Sequence, residues 1–180
     1  QNTLTADYLS EISARAGIQQ TLTHLYDMPR QGAPSRHGKY YVYRKNSGLQ
    51  NQDVLYLREG PDGDERLLLD PNTLSDDGTV ALMMTSFTKD GTLMAYSTAA
   101  DGSDWQEIRV LNVETGEHYA ETLDWMKFSS MAWKADNSGF YYSRFPEQES
   151  KESQETSYYN KVYFHAVGTP QSEDVLVYER

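Results

Sequence analysis

Along the first thirty residues, apolar side chains recur at helical spacing. Tyr8, Leu9 and Ile12 make one stripe; Ile18, Leu22, Leu25 and Tyr26 make a second at i, i+4, i+7 and i+8. Thr5 is placed to cap the first helix with Asp7 in its first turn, Gly17 interrupts, and Pro29 ends the second helix. Residues 31–37, with Gly32, Pro34 and Ser35, read as a linker.

From His37 onward the pattern changes to short apolar runs between turn residues, the pattern of an all-β chain. Strands are predicted at 39–44, 54–58, 66–69, 81–87, 93–97, 107–113, 119–123, 129–134, 140–144, 161–167 and 174–178. The runs repeat as a set. His37-Gly38-Lys39-Tyr40-Tyr41-Val42-Tyr43 is echoed by Asp90-Gly91 before Leu93-Met94-Ala95-Tyr96, and again by Trp133-Lys134-Ala135-Asp136 before Gly139-Phe140-Tyr141-Tyr142. In each, an aromatic-rich strand follows a tight turn that needs glycine to reach positive φ. Gly38 and Gly91 stand 53 residues apart, and Gly91 and Gly139 stand 48 apart. A period near 50 with about four strands per period predicts propeller blades rather than a sandwich.

The fold class is therefore mainly β: an incomplete β-propeller of about three four-stranded blades behind a short helical segment. The domain reading is a helical segment over 1–30 and a partial propeller over 36–180. Three radial sheets cannot close a ring, and open flanks expose apolar surface, so further blades are expected from more chain or from other polypeptides.

Composition narrows the function classes. Sixteen Lys and Arg against 27 Asp and Glu give a net charge of −11. Nucleic acid and anionic membrane surfaces both need the opposite balance, so neither is expected as a partner. No apolar run approaches the ~18 residues of a membrane span, and the first residues carry no leader pattern. The expectation is a soluble protein, cytoplasmic or periplasmic. No cysteine is present, which removes disulfides, thiolate nucleophiles and Cys-based zinc sites. The 14 tyrosines fit pleated, half-buried strands better than a base-stacking platform at this charge.

Candidate chemistry is sparse. A serine peptidase needs a nucleophile on a sharp elbow, marked by G-x-S-x-G, and no such segment occurs; Gly102-Ser103-Asp104-Trp105 lacks the second glycine. Ser103 and Asp104 read as turn residues. His24, His37, His118 and His165 show no metal-ligand spacing and read as surface or packing residues. The acidic turns at 62–65, 76–78 and 101–104 lack the order of a calcium loop and read as hairpin turns. No cofactor is implied.

Five segments, taken together in order and spacing, resemble the propeller of the prolyl oligopeptidase family of serine peptidases. They are residues 46–56, residues 69–79, Gly102-Ser103-Asp104-Trp105, Lys127-Phe128-Ser129-Ser130-Met131-Ala132-Trp133, and residues 164–174. The resemblance runs from about Leu4 to Arg180. It implies a seven-bladed propeller capping an α/β-hydrolase domain, with the active site in the cavity between them. The helices would belong to the peptidase domain, this chain would hold them and blades one to three, and the catalytic triad would lie outside it.

By the same resemblance, an aromatic of the Lys-Phe-Ser segment projects into the cavity and packs on the substrate on the acyl side of the proline; the matching residue is Phe128. On its residues alone, Phe128 fits a strand-end core position equally well. Trp105 and Trp133 read as blade packing. The charged segment 147–155 reads as a solvated excursion between two strands, and the resemblance puts such loops near the domain interface. The implied partners are proline-containing peptides, the remaining blades and the hydrolase domain. Repeats and composition leave open a non-enzymatic propeller that binds a protein or ligand at its central channel. They also leave open a related peptidase with different primary specificity.

Overall fold

The computed structural model describes residues 1–147 and 158–179. Two helices, α1 (Asn2–Ser10) and α2 (Arg15–Tyr26), lead the chain. The start of α1 differs from the Thr5 cap expected from sequence: the Thr5 amide already donates to the Gln1 carbonyl, so the first turn lies upstream. Gly17 does not interrupt either; it lies inside α2, and the break falls at residues 11–14. Neither helix has a buried residue, and Leu4, Tyr8, Ile18, Leu22 and Leu25 all face outward.

Three antiparallel meanders follow. The first contains β1 (Arg30–Gln31), β2 (Ser35–His37), β3 (Tyr40–Asn46), β4 (Val54–Glu59) and β5 (Arg66–Leu69). The second is β6 (Ala81–Phe87), β7 (Leu93–Ala99), β8 (Gln106–Asn112) and β9 (Leu123–Met126). The third is β10 (Ala132–Trp133), β11 (Gly139–Arg144), β12 (Lys161–Ala166) and β13 (Val175–Tyr178).

The segment read as a linker is in fact the inner strand of the first blade. β1 and β2 pair along the same edge of β3, Arg30 opposite Asn46 and Ser35 opposite Val42. Between them the register slips by one residue, a bulge that accommodates Pro34, which has no amide to give the ladder. The first blade is thus also a four-stranded unit. Two other expectations are corrected. The strand predicted at 119–123 forms at Leu123–Met126, while His118 and Tyr119 touch β8 only through one bridge to Leu111 and one amide bond to Val110. The strand predicted at 129–134 shortens to Ala132–Trp133, because Ser129 bonds sideways to Ser143.

The core lies between blades. Met94, Tyr96, Leu111 and Val113 of the second blade pack on Tyr40, Val42, Leu55, Leu57, Leu68 and Leu69 of the first. The alternate residues Ala95, Ile108 and Val110 pack with Met131, Phe140 and Tyr142 of the third. Successive side chains point to opposite faces, so a sheet held between two others buries both sets and reads as a continuous apolar run. This is why every residue of Met94–Ala99 is buried.

The turns gather at two ends. At one, the β6–β7 turn holds Gly91 at φ +76°, against the β2–β3 turn; a Cβ on Gly91 would stand 2.3 Å from the His37 carbonyl oxygen. The matching residue of the third blade is Asn137 at φ +60°, not Gly139. Asp90 accepts from the Thr92 amide and hydroxyl as Asp136 does from Ser138, and Asn137 donates to Asp90 at 2.7 Å. Gly139 is glycine for another reason: a Cβ would stand 1.9 Å from the His165 carbonyl oxygen of β12.

One tyrosine marks the same place in each blade. Tyr43 donates to Glu65, Tyr96 meets His118 Nδ1 at 3.2 Å, and Tyr142 donates to Asp174. Glu65 and Asp174 stand immediately before the outer strands β5 and β13, and His118 stands a few residues before β9. The phenol of the second strand thereby fastens the outer strand's entry.

Candidate substrate-facing loop

At the other end of the sheets, residues 127–131 carry the chain from the outer strand of the second blade to the inner strand of the third. Met126 and Met131 are both buried and pin the two ends of this crossing. Between them Phe128 is 74% exposed. It does not fill the strand-end core position that its residue type alone allowed.

The loop's backbone is unusual. Trp125 has φ +64° and Phe128 φ +53°. Bulky residues in this region carry about 1–2 kcal/mol of backbone strain each and persist where the surroundings hold them. Three groups of contacts do so. Ser129 Oγ accepts from the Ser143 amide at 2.9 Å and lies 2.8 Å from its hydroxyl. The Phe145 amide donates to the Trp125 carbonyl at 3.0 Å. Trp105, 6% exposed, meets Trp125 and Phe145 edge-on at 5.5 and 5.8 Å. An open groove of about 500 Å³ runs beside Phe128 past Ser129, Tyr141, Ser143 and Val162.

Lys127 was not singled out from sequence, because a lone lysine carries no motif. Its Nζ lies 5.2 Å from the Trp105 ring centre and 5.1 Å from that of Phe128. Trp105 therefore supports the loop and, through Phe145, also packs the second blade on the third. Trp133 does the latter: its Nε1 donates to the Ser86 carbonyl of β6 at 3.0 Å.

The other candidates are placed as follows. Ser103 accepts from the Trp105 amide in an exposed turn. Asp77 accepts from the Thr79 amide and hydroxyl, bonds that hold its carboxyl below the usual range. His24 lies in the last turn of α2, and His37 stacks on Phe87 at 4.1 Å between two blades. Of the charged segment, 148–155 lies outside the described residues.

His165 has the look of a catalytic base: its Nδ1 lies 2.7 Å from Asp174 Oδ1, and Tyr142 donates to the other carboxylate oxygen. Both side chains are at 0% exposure, so no peptide reaches them. Burial first, then the bond to Asp174, raises the Tyr142 phenol. Gln171 closes the network, donating to Tyr142 at 2.9 Å and to the Asp124 carbonyl at 3.0 Å while accepting from the Asp124 amide. It binds the third blade to the second.

Comparison with known proteins agrees with this architecture. The family model for the prolyl oligopeptidase N-terminal β-propeller domain matches residues 1–180. A prolyl endopeptidase of Elizabethkingia miricola is 44% identical over 175 residues, covering 96% of this chain and 24% of the relative. Prolyl oligopeptidase A of Galerina marginata is 32% identical, covering 99% of this chain and 28% of its own length. The chain thus spans about a quarter of the curated relatives it matches.

Among solved structures, one from a study of two prolyl endopeptidases superposes with a TM-score of 0.93 at 29% identity, over 100% of this chain and 27% of that one. Prolyl oligopeptidase B of Galerina marginata, bound to a 35-residue hydrolysis and macrocyclization substrate, superposes at 0.88 with 26% identity, over 99% and 28% of the two chains. The helices and three blades described above therefore belong to the prolyl oligopeptidase N-terminal β-propeller family.

Proposed function

We propose that this chain is the propeller part of a serine peptidase that cuts short peptides after proline, with Phe128 as a substrate contact. On this reading the two helices join the peptidase domain, and the chain from the inner strand at 30–37 onward forms three blades of the ring. The ring restricts entry to flexible peptides, and enclosure strengthens electrostatic stabilisation of the developing oxyanion. The observation that carries the Phe128 role is its presentation: a large ring held outward at strained φ on a loop pinned at both ends, where an apolar surface gains by burying a ligand. The outward apolar faces of α1 and α2 fit the same reading, since such faces call for cover.

The test is kinetic. The protein at the length of its relatives should release the fluorophore from a proline-containing peptide, and the isolated 180 residues should not, since they hold no G-x-S-x-G elbow. In the active protein Phe128→Ala should raise KM by about tenfold, the cost of losing one well-buried aromatic contact, with a smaller change in kcat. Turnover by the isolated chain, or an unchanged KM, contradicts the reading.

A further inference from the structure

We propose that Lys127 is a specificity-determining residue, which makes this site favour peptides with an acidic side chain at the residue that packs on Phe128. The inference rests on the peptidase reading above and adds a charge preference to it.

The geometry carries the argument. Lys127 and Phe128 are neighbours on the strained loop, and the ammonium lies between two aromatic faces, 5.2 Å from Trp105 and 5.1 Å from Phe128. Trp105 is fixed from behind by Trp125 and Phe145. An ammonium over two ring faces is attracted by both, and the half-buried Lys127 keeps part of its surface in solvent. Holding the tip before a ligand arrives lowers the ordering cost of a new ion pair.

The tip is also uncommitted. Lys39, Lys45, Lys134 and Lys161 each lie within reach of a carboxylate (Glu59, Glu65, Asp136 and Glu179), whereas Lys89, at the opposite end of the sheets, does not among the described residues. Among the described residues, Lys127 has no carboxylate within 4 Å, although the chain carries 27 acids against 16 bases. Its bound faces are rings, which attract a cation without neutralising it. A peptide residue lying on Phe128 would bring a Glu or Asp carboxylate to the open side of Nζ. A basic residue there would meet a like charge instead.

The experiment uses the active protein and fluorogenic peptides that end in proline before the reporter. Glu, Gln or Lys is placed in turn at each of the three residues preceding the proline. For one of these positions, kcat/KM should fall in the order Glu, Gln, Lys, with Glu over Gln by about fivefold, the size of one well-placed exposed ion pair. Lys127→Met, which keeps a stem between the rings, should bring the Glu-to-Gln ratio to about one, and Lys127→Arg should keep it. In about 1 M salt, where the screening length is ~3 Å, the wild-type preference should shrink. Cleavage after proline with no acidic preference, or with a preference that survives Lys127→Met, overturns the inference and leaves the peptidase reading standing. Failure to cleave any of the peptides overturns both.

Discussion

The two ends of the three sheets solve the same problem, reversing the chain, in different ways. At the turn end described above, positive φ falls on Gly38, Gly60, Gly91, Gly116, Gly168 and Asn137, residue types that tolerate it. At the end that bears Phe128, glycines at 48, 78 and 102 are joined by Asp101, Trp125, Phe128 and Tyr159. At the first end the second and third blades repeat down to the Asp90 and Asp136 turn bonds. The second end breaks the repeat, and it is where a strained, outward aromatic stands beside a cation that has no carboxylate within 4 Å among the described residues. Where a fold departs from its own repeat at a cost, the departure points to a role beyond folding.

The sharpest way to break this contrast is at the regular end. Gly91→Val places a branched side chain at φ +76° and against the His37 carbonyl. Denaturant unfolding should show a loss of about 3 kcal/mol, left-handed strain and overpacking together. A neutral result would mean that the two turns do not touch as described.

Next in size is Tyr142→Phe. It leaves the buried Asp174 carboxylate and the Gln171 amide each short of a partner, and about 2 kcal/mol of stability should go with it.

Smaller, and opposite in sign, is Phe128→Gly. It relieves backbone strain at a mostly exposed residue, so stability should rise by about 1 kcal/mol while kcat/KM on proline peptides falls. A variant that loses both stability and activity would place Phe128 in the core after all.

The smallest effects are in the other two tyrosine fastenings, at Tyr43 and Tyr96, and they depend on pH. Burial, then the bond to Glu65, pushes the Tyr43 phenol up from 10.0 to about 12. A raised value means that the contribution is complete below pH 10 and is lost as pH climbs from 10 towards 12. The stability difference between wild type and Tyr43→Phe should therefore narrow over that window. His118 behaves in the reverse sense: burial, then Arg109, lowers it below 6.5, so its contribution is present above pH 6.5 and declines in acid. Comparing Tyr96→Phe with wild type on either side of that value checks the second fastening.

Much of the fold was legible in the sequence because blades repeat. The strand at 66–69 is observed as predicted, and Tyr43, Tyr96 and Tyr142 recur at one place in each unit. Errors came where two residue types serve one need, or one type serves two. Asn137 takes the left-handed place held elsewhere by glycine, so counting glycines paired Gly91 with Gly139, which is small for close approach to β12 instead. Pro34 argued for a linker, yet a bulge lets an inner strand carry it.

The site was less legible. Phe128 was named only by resemblance, since no periodicity says that a phenylalanine between two buried methionines turns outward. Lys127 and Trp105 meet across 22 residues of sequence, a contact no local pattern reports. The His165–Asp174–Tyr142 network was likewise invisible, because its members come from two strands and a loop.

The most direct test asks which end of the blades meets the peptide. Benzoylphenylalanine placed at position 128, or at the exposed Thr115 of the opposite end, can be irradiated in the active protein with a non-cleavable proline peptide bound. The account predicts crosslinking from position 128 and none from 115. Crosslinking from 115 alone, or from neither while the peptide stays bound, would contradict it.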